Sequence, residues 1–386
     1  MLFHRFLQSM KTILNSTAVD PSLIAAISLV PVQAATTNLS NIEALSHRGG
    51  LLTGLRSNMA KPGWMPKVSS LSAMLLLIGY EYQIDGVNSA SIATHLRGLQ
   101  TMLRSFQPCG DTTLLASIQR ALFWQDLTNC LVAGTPRLFS HRDYKDLERF
   151  RDGDDGGERL ERRDSPHGFV PYVEEWPDAF TSILEDLHAL CKTIDANNGE
   201  EEHTMTAPLP ISTLQANLES RVVDILYDVR LSKSSDDPIY EACAFAVYLC
   251  TYELSTGIWV GCYNPEICVN QIIRRVVGAL RDMSHISHEE VLFWLLYVSG
   301  GLTLRNHTRA KVVALMKTLL RDRVEKYVKD WETTRQFLRE YIWSEQAMDI
   351  TLFRFWEELQ HSWKGLTKTG PDEEDLKSML LEKDTI

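Results

Sequence analysis

Residues 70–106 read SLSAMLLLIGYEYQIDGVNSASIATHLRGLQTMLRSF. Residues 71–82 are almost wholly apolar and predict a helix with no polar face to turn to water. A polar break follows at Asp85-Gly86-Val87-Asn88, and after it a second helix. There Ile92, Leu96, Leu99, Met102, Leu103 and Phe106 recur at three- and four-residue steps, with His95, Arg97, Gln100 and Arg104 mostly between them. Asn88 or Ser89 is placed to cap its start, and Gln107-Pro108-Cys109-Gly110 to end it. A helix that is apolar all round must be covered on several sides. The pair therefore predicts further helices wrapped about residues 71–82.

The same periodicity runs outward in both directions. Phe3, Phe6, Leu7, Met10, Ile13 and Leu14 form an amphipathic stripe. Asp20 caps a helix that opens on Pro21, the favoured first position, and Pro31 is expected to break it. Residues 38–59 predict a helix weakened by Gly49-Gly50, and residues 114–133 one that stops at Gly134-Thr135-Pro136. Further helical patterns cover 173–193, 214–231, 238–254, 265–283, 287–303, 311–327, 330–343 and 350–363. No alternating strand of useful length appears. The fold class is all-α, a multi-helix irregular array.

Composition divides the chain. Residues 1–150 and 171–365 are the two helical halves. Between them, 151–170 is a charged, turn-rich insert with too few apolar side chains to offset its ordering entropy, and it is expected to be disordered. Residues 197–210 are a second such break, and 366–386 an acidic tail. Within that tail Asp372, Glu373, Glu374, Asp375 and Glu382 are mixed with Leu376, Met379, Leu380 and Leu381, a partner-binding composition that is also that of a frayed terminal helix.

The 386 residues are 44% hydrophobic and 23% charged, enough apolar material for a sizeable core. A net charge of −11 with only short basic pairs, Arg162-Arg163 and Arg274-Arg275, argues against phosphate-tracking nucleic-acid binding. Seven scattered cysteines, most in apolar surroundings, fit reduced buried thiols in a cytoplasmic or nuclear protein rather than a disulfide framework. The longest apolar runs, 291–302 and 242–250, are too short for a bilayer. Residues 23–35 have the length of a signal core, but Asp20-Pro21 stands where positive charge belongs and Pro31 interrupts the run.

No catalytic, cofactor or metal constellation emerges. Asp152–Gly157 lacks the oxygen ligand and the bidentate Glu of a calcium loop: Gly156 and Arg163 stand in their places. His285-Ile286-Ser287-His288-Glu289-Glu290 brings two imidazoles near two carboxylates, yet Ser287 with Glu290 is better read as a capping box before the apolar run from Val291. Cys262 and Cys268 are too widely spaced for a zinc knuckle. Tyr297-Val298-Ser299-Gly300-Gly301 lacks the glycine of a nucleophile elbow, and its small residues suit close helix packing. Trp124, Trp294 and Trp356 sit in apolar stripes and are assigned to the core.

An ordered set of phrases resembles the fungal-specific transcription factor domain, the regulatory region found C-terminal to a binuclear zinc cluster in many fungal regulators. They are Leu2-Phe3-His4-Arg5-Phe6-Leu7, Asp20-Pro21-Ser22-Leu23, His47-Arg48-Gly49, Leu75 to Tyr82, and His95-Leu96-Arg97-Gly98 followed by Met102. Leu122-Phe123-Trp124-Gln125-Asp126, Phe293 to Gly301 and the pair Phe355-Trp356 complete the set. Pro31, Gly50 and the polar insert depart from the pattern. The zinc cluster needs six clustered cysteines, and the first cysteine here is Cys109. The resemblance implies a transcription-regulatory domain of the nucleus (or shuttling between nucleus and cytoplasm) that senses a small-molecule effector or a partner. Without that cluster no autonomous nucleic-acid binding is expected, and with short apolar runs no membrane; the transcription machinery or a zinc-cluster protein is the implied partner, in a homo- or heterodimer. A helical scaffold or adaptor without a role in transcription is the alternative; no enzyme activity, cofactor or metal is expected.

Overall fold

The computed structural model describes residues 20–35, 41–84, 90–106, 112–141, 165–196, 209–231, 237–254, 264–281, 288–303, 305–319 and 326–364. Among them every regular element is helical, as the periodicity predicts. The chain divides into two compact units, Met1–Phe139 and Ser140–Thr385.

The first unit holds α1 (Pro21–Ala35), α2 (Ile42–Met59), α3 (Val68–Ile84), α4 (Ala90–Ser105) and α5 (Thr112–Ala133). The apolar run is α3, and α1, α2, α4 and α5 all pack on it. Leu71, Ala73, Leu77 and Ile78 have no exposed surface. Burying a large apolar side chain is worth about 1.5–3 kcal/mol, against a few tenths for most differences in helix propensity. Packing therefore fixes α3, and its neighbours are positioned by it.

Caps and stops follow local chemistry, with one correction. The Asp20 carboxylate accepts the Ser22 amide at 2.9 Å, and Asn41 accepts that of Ala44 at 2.7 Å. Gly134 takes φ 64° after α5, a conformation open to glycine, and its amide donates to the Cys130 carbonyl. Pro31, however, does not end α1, which runs on to Ala35. One backbone bond is lost near the C-terminal end, where the buried Leu23, Ala26 and Leu29 already hold the helix against α2 and α3.

The second unit holds α6 (Asp178–Ala196), α7 (Leu209–Leu231), α8 (Pro238–Glu253), α9 (Asn264–Arg281), α10 (Glu289–Leu302), α11 (Asn306–Leu319), α12 (Trp331–Arg339) and α13 (Glu345–Lys364). A 3-10 helix, His167–Tyr172, precedes α6. In α10 every residue from Val291 to Leu302 is buried, and α8, α9, α11, α13 and the 3-10 helix pack around it. The expected close approach at Ser299-Gly300-Gly301 is present: a Cβ on Gly300 would fall on the Phe355 ring, and one on Gly301 on Leu352. Asp237 caps α8 by accepting the amides of Ile239 and Tyr240, with Pro238 at the first position.

The residue before α10 is His288, which makes no side-chain cap bond, and Glu290 accepts the Tyr327 hydroxyl at 2.9 Å; the expected capping box rests on Ser287, which lies outside the described residues. One more expectation is corrected. The ordered structure also takes in residues 165–170 of the stretch assigned to the polar insert. Phe169 is buried against Trp176, Trp294 and Tyr341, and the Gly168 amide donates to the Glu340 carbonyl at 2.7 Å. One aromatic anchor among turn residues suffices. The expectations for residues 2–14, Asn88-Ser89, 107–110, 151–164, 197–208 and the acidic tail lie outside the described residues. No helix among the described residues is long and apolar enough to cross a membrane.

Replacing Gly300 by alanine drives a methyl into the Phe355 ring and is expected to cost about 1–3 kcal/mol. Thermal unfolding followed by circular dichroism should show a lower midpoint. Gly49→Ala, where a Cβ meets nothing within 4 Å, is expected to be neutral or slightly stabilising.

Candidate functional site

The apolar helix α3 carries one carboxylate, Glu81, whose side chain is only 1% exposed. Arg48, from the middle of α2, donates its Nε to Glu81 Oε1 at 2.6 Å. Ser91, in the first turn of α4, donates its hydroxyl to Oε2 at 2.9 Å. His95, one turn further along α4, brings its Nε2 to 3.7 Å from Oε1. The three helices are thereby fastened through one side chain. Burial alone would raise the Glu81 pKa, but His95, Arg48 and Ser91 outweigh it and hold the carboxyl at about 2. An acid that weak in proton affinity stays ionised at neutral pH. Its chemistry is pairing, not proton transfer.

A second buried carboxylate fastens the segment after α5. Asp126 accepts the amides of Leu138 and Phe139, each at 3.0 Å. The Arg137 Nε lies 3.6 Å from Asp126, and its guanidinium sits over the Phe123 ring at 5.2 Å. Burial pushes the Asp126 carboxyl up, against the pull of Arg137 and of the two amides. Gln100 of α4 holds the Leu138 carbonyl at 2.8 Å, and the Tyr82 hydroxyl donates to the Gln125 carbonyl at 3.0 Å.

The second unit is held by rings more than by charge. Trp294 stacks on Tyr341 at 5.3 Å, and Phe169 meets both edge-on. Phe293, Tyr327 and Phe337 form a triangle with centroid separations of 4.7–5.1 Å. Trp294 is fully buried, as assigned, whereas Trp124 and Trp356 are only partly so. Asp195, near the end of α6, reaches the start of α13 and accepts from the Ser344 hydroxyl at 2.7 Å and from the amides of Glu345 and Gln346. Inside the bundle Gln215 bridges Glu219 at 2.8 Å and the Thr251 carbonyl at 3.2 Å.

Catalytic features are sparse. Cys130, Cys191, Cys243, Cys250 and Cys268 are free and buried, and burial pushes the last four thiols up, away from the reactive thiolate. His288, half of the His–Glu pattern, places its Nδ1 3.1 Å from the Tyr172 hydroxyl; His285 and Ser287 lie outside the described residues. Among the described residues no group of three His, Cys, Asp or Glu could hold a metal ion.

Within each unit, phrases singled out in the sequence meet one another or pin a neighbouring segment. Arg48 of His47-Arg48-Gly49 and His95 of His95-Leu96-Arg97-Gly98 meet on Glu81 of the apolar run. Asp126 of the next phrase pins residues 137–139, and Gly300 meets Phe355 of the closing aromatic pair. The family model of the fungal specific transcription factor domain matches residues 22–367. The chain belongs to that family. No curated protein and no solved structure matches it. The match takes in all but the first of the resembling phrases, the second from Ser22 onward. Sequence reading missed the roles of Glu81 and Asp195. A lone acid in an otherwise uncharged apolar run was the available sign of the first; nothing local marks the second.

Glu81→Gln removes the charge that Arg48 and His95 face and weakens buried hydrogen bonds, while the Arg48 side chain is 32% exposed, so a cost of about 1–3 kcal/mol is expected. The carboxyl's folded pKa lies below its ordinary value. Its stabilisation is therefore present above about pH 4.5 and is lost as the pH falls toward about 2. Urea unfolding of the wild type is expected to weaken over that window, and Glu81→Gln should remove part of the slope.

Proposed function

We propose that the chain is a regulatory module that senses a small-molecule effector or a protein partner and passes the change on to gene control. On this reading it works in the nucleus, does not read DNA itself, and acts through a zinc-cluster protein or the transcription machinery. The observation that carries the proposal is the family match over residues 22–367, which supports a transcription-regulatory role. The acidic net charge of −11 is consistent with dependence on another protein for DNA contact.

Electrophoretic mobility shift at low salt is the test of the DNA arm. Residues 1–386 are expected to give no specific shift, and tight sequence-specific binding would overturn that arm. A fluorescent fusion tests the transcriptional arm: nuclear accumulation under at least one growth condition is expected, while exclusion under all conditions would favour a scaffold outside transcription.

A further inference from the structure

Helices α11 and α13 both pack on α10 and leave an open groove of about 880 Å³ between them. We propose that this groove is a docking site for an acidic amphipathic helix of a partner protein. The proposal goes beyond the regulatory reading and stands independently of it.

Charge is the first support. The chain carries −11, yet α11 has no acidic residue and presents Arg309 and Lys317 to the groove, with Arg354 and His361 on the facing wall of α13. Two carboxylates also face it, Glu357 and Glu358, and the second is taken by Arg309 at 2.9 Å. Lys317 donates to the Ser362 carbonyl at 2.9 Å, a neutral partner that leaves its charge uncompensated. Arg354 is exposed and makes no ion pair among the described residues. Glu357 offsets one of the two cations that remain, so three Lys/Arg against two Glu leave the lining a net charge of +1, which favours carboxylates from outside.

Shape is the second. Small side chains, Ala310, Val313 and Ala314, line the groove on the α11 side, where apolar anchors of an incoming helix can settle. From Arg354 to His361 the wall is two helical turns, about 10 Å at the usual rise, which suits anchors spaced three, four and seven residues apart. Glu357 and Glu358 in the lining, together with its apolar side chains, disfavour a phosphate backbone. The wall is also fixed before anything binds. Arg309 donates its Nε to the Gly300 carbonyl at 3.1 Å and its Nη2 to that of Thr303 at 2.9 Å, fastening α11 to the end of buried α10. A rigid wall loses little freedom on docking.

Fluorescence anisotropy with the full chain tests this. The probe is a labelled fifteen-residue helical peptide with leucines at helix spacing and glutamates elsewhere; its control has lysine at each glutamate. Saturable binding of the acidic peptide alone is expected, weakening as salt rises. Lys317→Glu combined with Arg354→Glu should lower affinity by about tenfold or more, with an unchanged circular dichroism spectrum. Failure of the acidic peptide to bind, equal binding of the lysine peptide, or no response to the double reversal would overturn the proposal. So would a rise in affinity when Asp372, Glu373, Glu374 and Asp375 are changed together to amides, since the chain's own acidic segment would then be the occupant. The assay contains no DNA and no reporter, so its outcome is separate from that of the regulatory reading.

Discussion

A charged carboxylate inside an apolar core is the constraint on which the first unit depends. Taking such a group out of water costs several kcal/mol, and only good geometry with further hydrogen bonds recovers it. Glu81 obtains both, from Arg48 on α2 and from Ser91 and His95 on α4. An apolar side chain there would accept α2 and α4 in many registers. The carboxylate accepts very few, because sliding either helix by one residue strands the charge. Hydrophobic burial makes α3 the centre of the unit, and Glu81 decides how its neighbours stand around it.

The second unit solves the same problem by shape. Its central helix α10 removes bulk at Gly300-Gly301 so that Phe355 and Leu352 of α13 can close on it. Trp294, two turns earlier on α10, packs with Tyr341 and Phe169 as rings at 5.1–5.3 Å. Asp195 fixes where α13 begins by satisfying its first amides. Helix ends, ring stacking and buried pairs here all set the placement of helices. That is the property a domain needs if a change at one place is to be carried to another.

What the sequence disclosed, and what it hid, follow from range. Periodicity over neighbouring residues is enough to give an all-α array, the wrapping of residues 71–82, the cap at Asp20-Pro21 and the close packing at Ser299-Gly300-Gly301. Features set by partners far along the chain were hidden. Glu81 finds Arg48 at 33 residues' separation, and Ser344 finds Asp195 at 149. Pro31 misled because its local penalty is real but smaller than the burial holding α1. Glu290 pairs at a range similar to that of Glu81, accepting the Tyr327 hydroxyl from 37 residues away. The resembling phrases carried more than their letters showed, since Arg48 and His95 belong to two of them and meet on one carboxylate.

Native-state hydrogen exchange on the amides of residues 71–82 reads the opening of α3 directly. Measured for the wild type, Glu81→Gln, Arg48→Met and the double variant, it yields the coupling between the two side chains. A coupling of about 2 kcal/mol or more, with the double variant little worse than either single one, is the result this account predicts. Additive losses, with coupling near zero, would show that the helices find their register without the charge, and would contradict it.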